Sequence, residues 1–185
     1  MGYKIQVAYA AARLAKTLHN GQVDKAGKDY FEGHLSAVGH SGSCWKEKVV
    51  GFLHDAAEDT THSVEEVIGM LKKMMDDWEK ETDGHRWMQE FEAVVGSSPN
   101  EVYHKLTEAE WGEIEEALHL MNLHTASSRE AYIERFRGHK LAIRVKLNDL
   151  RNNMDLSRIP HPSKKDFERV ERYKREYAIF TQMLQ

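Results

Sequence analysis

The chain has 185 residues, 41% of them hydrophobic and 30% charged, which allows one globular domain with a sizeable core and excludes a disordered polar chain. Lys plus Arg number 26 against 30 Asp plus Glu, and this net charge of −4 gives no reason to expect nucleic acid as a partner. The single cysteine, Cys44, rules out an internal disulfide, no apolar run approaches the ~20 residues of a membrane span, and the first residues lack a secretory signal's apolar core, so a cytoplasmic location is expected.

Prolines are sparse, and helical periodicity runs through most of the chain, which predicts an all-α fold, a single helical bundle over residues 1–185. Ile5 to His19 reads as an alanine-rich helix, and Asn20 to Gly33 as a polar loop with turn signals at Asn20-Gly21 and Ala26-Gly27. A second helix is expected to begin near His34 and to break at Ser41-Gly42-Ser43, with Ser43 as the cap of the helix that follows. Ser63-Val64-Glu65-Glu66 and Thr107-Glu108-Ala109-Glu110 are capping boxes opening helices toward Trp78 and Leu123. Between them, Thr82-Asp83-Gly84 reads as a turn, Trp87 to Val95 as a short helix and Gly96 to Asn100 as a loop. Ser127-Ser128-Arg129-Glu130 is a third box, opening Ala131 to Arg137, and His139 to Asp155 is a further helix. After Pro160-His161-Pro162, Ser163 to Leu184 forms a last amphipathic helix. Its core stripe would be Phe167, Val170, Tyr173, Tyr177, Phe180 and Leu184, with Glu168/Arg172 and Glu171/Arg175 pairs outside. That helix is read as scaffold without chemistry.

One stretch carries chemistry. Val49 to Thr60 places His54-Asp55 at the end of an apolar run and Glu58-Asp59 one turn later. On a continuous helix at about 100° per residue, those four side chains fall within roughly 140° of arc, opposite Val49, Val50, Phe52 and Leu53. Imidazole and carboxylate together suit divalent ions such as Mn²⁺, Fe²⁺ and Zn²⁺. Further ligands are needed, and the candidates are His34 upstream and Asp149 downstream, with Asn153 one turn beyond Asp149. Two imidazoles and two carboxylates would leave positions open for water and a phosphate oxygen, the arrangement of metal-assisted hydrolysis.

The order His34…His54-Asp55…Asp149 resembles the motif of the HD phosphohydrolase superfamily. Leu18-His19-Asn20-Gly21-Gln22-Val23-Asp24-Lys25-Ala26-Gly27 is similar to the "AHxGQxRKxG" segment of Rel/SpoT-type enzymes and the stand-alone small alarmone hydrolases. Leu53 to Thr60 is similar to their "LLHDxxEDT", and Val145 to Asn153 to their "VKLADRxxN". The resemblance implies a metal-site core over about residues 5–158 and removal of the 3′-pyrophosphate from guanosine tetra- and pentaphosphate. It implies His34, His54, Asp55 and Asp149 as metal ligands, usually of Mn²⁺, though Fe, Zn, Co, Ni or Mg would also be accepted. Glu58 and Asp59 would be the catalytic acidic pair, and Lys25 and Asn153 the substrate contacts. A guanine nucleotide would be the partner, without nucleic acid or membrane, and the oligomeric state stays open.

The chain departs from this pattern in four places. Asp24 stands where the family has arginine, one residue is inserted between Tyr30 and His34, Leu35 replaces a proline, and Leu150 replaces an arginine. Two alternatives therefore stand beside the first reading: an HD phosphohydrolase of another nucleotide, and a module that binds a nucleotide or protein without turnover.

Overall fold

A computed structural model describes residues 4–78, 93–96 and 105–185. Among these residues every regular element is helical, and the one backbone bridge pairs Val23 with Asp29. The all-α fold expected from the periodicity is the fold observed. The helices are α1 (Lys4–Leu18), α2 (Ser36–His40), α3 (Trp45–Leu53), α4 (Ala56–Asp59), α5 (Val64–Trp78), α6 (Glu108–Met121), α7 (Arg129–Glu134), α8 (Lys140–Met154) and α9 (Lys164–Met183). A π-helical turn, Phe31–Leu35, leads directly into α2. The expected turn at Thr82-Asp83-Gly84 and most of the expected helix and loop over 87–100 lie outside the described residues; Ala93 to Val95 are helical.

Helix α3 is the hub. Val49, Val50, Phe52 and Leu53 are buried on it, and α1, α2, α6 and α8 all pack against it. Fully burying each such side chain contributes about 1.5–3 kcal/mol, which fixes α3 before any polar group is considered. Two glycines let α2 and α3 cross closely. A Cβ on Gly51 would sit 2.9 Å from the Gly39 Cα, and one on Gly39 would sit 2.4 Å from the Phe52 ring. Helix α1 is fitted for the same hub by its small residues, since Ala8, Ala10, Ala11, Ala12 and Ala15 are all buried.

Local capping follows the sequence at two of the expected boxes. Ser63 and Glu66 exchange bonds across the start of α5, and Thr107 and Glu110 do so at α6. Three expectations are corrected. Ser43 does not cap α3: Cys44 occupies that position, and the Ser43 N–H donates to the Glu47 carboxylate, which is buried and also paired with Arg144. The Ser127 box is displaced by one residue, because Ser128 accepts the Ala131 N–H and α7 begins at Arg129. On α9, Val170 and Phe180 are buried as expected, but Phe167 is 55% exposed and the third buried position is Glu176. Glu176 draws in the cations: Arg129 binds it through two hydrogen bonds, and Arg172 leans toward it at 3.8 Å rather than toward Glu168. Glu171 pairs with Lys174, not Arg175.

Candidate metal centre

Three separate elements bring the candidate ligands together: the π turn carries His34, the α3–α4 junction carries His54 and Asp55, and the middle of α8 carries Asp149. The continuous helix expected over Val49 to Asp59 is broken. α3 ends at Leu53, Asp55 takes φ −96° and ψ −1°, and the Glu58 and Asp59 N–H groups return to the Asp55 carbonyl to start α4. His34 lies inside its helical stretch instead of at its start, because the backbone is already helical from Tyr30.

The ligand atoms converge. The two Nε2 atoms of His34 and His54 are 3.2 Å apart. Asp55 Oδ2 lies 3.3 Å from the first and 3.1 Å from the second, and Asp149 Oδ1 lies 3.4 Å and 3.7 Å from them. Both rings have their other nitrogen engaged. His54 Nδ1 donates to the Gly51 carbonyl at 2.8 Å, and His34 Nδ1 donates to Asn152 Oδ1 at 2.7 Å. A backbone carbonyl can only accept, so His54 carries a proton on Nδ1 and turns Nε2 toward the carboxylates, where it can take either a second proton or a metal ion; Asn152 Oδ1 orients the His34 ring likewise. His34, His54 and Asp149 are buried and Asp55 is partly so, and two carboxylates gathered at this depth call for positive charge among them. Neighbouring ligands around an ion at about 2.1 Å are separated by about 3.0–3.4 Å, so the spacing fits a divalent cation. The buried His34, His54 and Asp149 group could hold a metal ion, with Asp55 reaching both imidazoles.

The electrostatics express the same demand. Burial alone would lower the His54 pKa, yet Asp55 and Asp149 beside it hold it well above the usual imidazole range. Burial would raise Asp55, but His54 and His34 keep it well below the usual carboxylate range. Asp149 is likewise pushed up by burial and brought down further by Lys146, whose ammonium is 2.8 Å from Oδ2. Lys146 stays charged because Asp149 and the Tyr132 ring, 5.4 Å from its nitrogen, outweigh its desolvation. Asn153, expected to contact substrate, donates from Nδ2 to Asp149 Oδ1 at 2.5 Å and so positions a candidate ligand.

The acidic pair is held from two sides. Glu58 Oε2 accepts the Leu123 N–H at 2.8 Å, from the turn that follows α6. The Tyr30 hydroxyl donates to Asp55 Oδ2 at 2.7 Å and lies 3.2 Å from Asp59 Oδ2, while Gln22 Nε2 donates to the Asp59 carbonyl. Burial and then the Asp55 charge raise the Tyr30 pKa, so it remains a donor. His19 Nδ1 meets Gln22 Oε1 at 2.8 Å, a structural hydrogen bond in the loop that carries Lys25.

These groups line one cleft of about 450 Å³. Lys25, His34, Asp55, Glu58, Asp59, Asp149 and Asn153 all face it; His54 lies beneath. So do Tyr30, Arg129, Lys146, Arg172 and Tyr173. Helix α9 contributes Arg172 and Tyr173 to the wall of this cleft. Tyr30, Lys146, Asn152, Arg172 and Tyr173 are not singled out by the sequence. Only the i, i+3 spacing of Lys146 and Asp149 and the tandem Asn152-Asn153 give a local signal. Glu65, Glu115 and His119 also gather within ion-holding distance, but on the exposed surface of α5 and α6, where His119 and Glu65 form an ordinary pair at 3.2 Å.

Among the described residues no helix is long and apolar enough to cross a membrane. No protein-family model matches the chain, and no curated protein matches it.

Proposed function

We propose that this chain is a metal-dependent phosphohydrolase of a phosphorylated nucleotide, with His34, His54, Asp55 and Asp149 holding a divalent ion. The observation that carries this reading is the convergence of two imidazole Nε2 atoms and two carboxylates at one wall of a cleft that also presents Glu58 and Asp59. When bound, such an ion supplies Lewis-acid polarisation of a phosphoryl group and lowers the pKa of water. The chain's own residues do the rest. Asn152 and the Gly51 carbonyl orient the imidazoles, and Lys146 and Asn153 fix Asp149. Glu58 has one oxygen tied to the Leu123 amide, which leaves Oε1 to take a proton from attacking water. Asp59 is positioned by Tyr30, and the cations Lys25 and Arg172 attract the phosphates. Mn²⁺ and guanosine 3′,5′-bis(diphosphate), giving GDP and pyrophosphate, are the ion and substrate that the Rel/SpoT-type resemblance nominates. A different nucleotide is the second reading, and the engagement of Asp24 with Arg158 favours it.

The test is pyrophosphate and phosphate release from the tetraphosphate and from ordinary nucleotides, by metal-stripped protein with and without Mn²⁺, Mg²⁺ or Zn²⁺. Release that requires added metal is expected. Glu58→Gln with Asp59→Asn should lower it by at least about 100-fold while metal content stays unchanged. Turnover that survives EDTA, or that survives the double substitution, would overturn the proposal.

A further inference from the structure

A general base works from one geometry, and a displacement of about 1 Å can cost about 100-fold in rate. Glu58 sits on a helix of a single turn, α4, which cannot fix a long side chain by itself. Its carboxylate is fixed from outside. Oε2 accepts the Leu123 N–H at 2.8 Å, 65 residues further along the chain. Whatever holds Leu123 therefore also holds Glu58.

Leu123 opens a short 3₁₀ turn, Leu123–Thr125, directly after α6. The last carbonyls of a helix have no donors of their own. At Leu120, Met121 and Asn122 the donors come from α7 and the residue that ends it, Arg135. Arg135 donates from Nε and Nη2 to the Leu120 carbonyl at 3.0 and 2.6 Å, and from Nη2 to the Asn122 carbonyl at 2.5 Å. Its Nη1 reaches Thr125 Oγ1 at 2.9 Å. The buried Tyr132 hydroxyl donates to the Met121 carbonyl at 3.0 Å, and its ring lies 4.7 Å from the Arg135 guanidinium. The same turn is tied to α4, because Asn122 Nδ2 donates at 3.3 Å to the carbonyl of Ala57, the residue before Glu58.

Resting on the functional reading above, we infer that Arg135 is a positioning residue for Glu58. It pins the 120–125 turn, the Leu123 N–H then holds Glu58 Oε2, and Oε1 is left for water. Arg135 is not among the residues that line the cleft, so its action runs through the backbone of the turn. A planar guanidinium suits this task, since its fork reaches two carbonyls and a hydroxyl at once, which an ammonium does not.

The test compares Arg135→Met with Leu123→Pro. Proline suits position 123, the first of its turn, because Asn122 before it is already extended at ψ 100°. It removes the one N–H that Glu58 uses and leaves Arg135 in place. Kinetics are measured with Mn²⁺ on guanosine 3′,5′-bis(diphosphate) or, should that be inert, on the ordinary nucleotide hydrolysed fastest. Each substitution should lower kcat by about 10–100-fold, with KM within about twofold and metal content unchanged. The double variant should fall no further than the worse single one, because both act on one bond. Losses that multiply, a loss in KM in place of kcat, or full kcat in Arg135→Met would overturn the inference. Should Arg135→Met fail to fold, Arg135→Lys is read in its place, with a smaller loss confined to kcat.

A second readout does not need turnover. In ¹⁵N-leucine-labelled protein the Leu123 amide proton, bonded to a carboxylate, should move upfield on Glu58→Gln and again on Arg135→Met or Arg135→Lys. A Leu123 resonance unmoved by either substitution would overturn the inference. Movement as expected, with no nucleotide hydrolysed by the unsubstituted protein, would leave the hold on Glu58 standing and remove the hydrolase.

Discussion

Replacing Asn152 separates a ring held for a metal from a ring held for packing. Asn152 Oδ1 accepts the His34 Nδ1–H at 2.7 Å, and this is the bond that turns Nε2 toward the carboxylates. The scaffold does not need that side chain: the Asn152 carbonyl, which accepts from Arg158 and from the Asp155 N–H, is unchanged by substitution. Leucine suits a helix interior and removes the amide, and with it the acceptor that holds His34. The loss is one net hydrogen bond of about 1 kcal/mol plus the freedom regained by the ring. Removing such an outer partner of a ligating histidine typically costs about 10–100-fold in metal affinity, which is about 1.4–2.7 kcal/mol. Asn152→Asp keeps an acceptor and makes it charged, so affinity should hold or rise. The assay is calorimetric titration of metal-stripped protein with Mn²⁺ and Zn²⁺, alongside thermal melts. The Asn152→Asp protein is expected to bind at least as tightly as the unsubstituted chain, and the Asn152→Leu protein more weakly by about 10-fold or more. Equal affinities for all three proteins with equal melting temperatures would refute the role of His34 as an oriented ligand.

Three further outcomes follow from the same geometry. Lys146→Met leaves Asp149, whose side chain is 6% exposed, without its cation, and breaking a buried pair costs about 3–5 kcal/mol; urea denaturation should show that loss in metal-free protein and a smaller one with Mn²⁺, whereas identical losses would mean no ion shares the Asp149 charge. Gly51→Ala drives a Cβ to 2.9 Å from Gly39 at the α2–α3 crossing and should cost about 1–3 kcal/mol, while Gly69→Ala in the open should cost nothing; similar melting temperatures for the two would contradict the close crossing. The pH dependence has a definite sign. His54 is raised from 6.5, so its contribution to metal-free stability is complete below pH 6.5 and is lost as pH rises through its folded value; Asp149 is lowered from 3.8, so its contribution is present above pH 3.8 and lost in acid. Metal-free protein should therefore be most stable between those two values. Bound Mn²⁺, competing with the His54 proton, should move the optimum upward, and an optimum that stays put with metal would count against ligation.

The parts of the fold written in short-range chemistry were legible. Ser63 with Glu66 and Thr107 with Glu110 settle within four residues what their helix starts need. The gathering of His34, His54, Asp55 and Asp149 was also legible, because few side chains suit a divalent ion and they stood in a spaced order. What could not be read depends on distant partners. Ser43 is an apt cap by type, but Glu47 claims its N–H, and Glu47 is held there by Arg144 from α8. Arg172 reads as the outside of a helix and Tyr173 as its core stripe, until α9 docks on α8 and both line the cleft. Glu176 sat unnoticed at a buried position because its burial depends on Arg129, which belongs to another helix.

The π turn between Tyr30 and His34 would accommodate the extra residue that the resemblance to Rel/SpoT-type enzymes implies there. One extra residue in a regular α-helix rotates everything upstream by about 100°, which would swing Tyr30 away if His34 stayed in place. The chain instead widens at that point. The Ser36 N–H reaches back to Phe31 O, an i to i−5 bond, so Phe31–Leu35 closes as a π turn. Within that turn Gly33 permits the close approach of Asp24, whose Oδ2 would lie 2.4 Å from a Cβ there. Arg158 then binds both Asp24 and the Gly33 carbonyl, tying the π turn to the end of α8. The widened turn keeps both of its ends engaged at once: His34 Nε2 faces Asp149, while the Tyr30 hydroxyl meets Asp55 and Asp59. The Asp24 carboxylate fills the space beside Gly33 that a side chain there would take, so the loop at position 24 and the π turn pack as one unit.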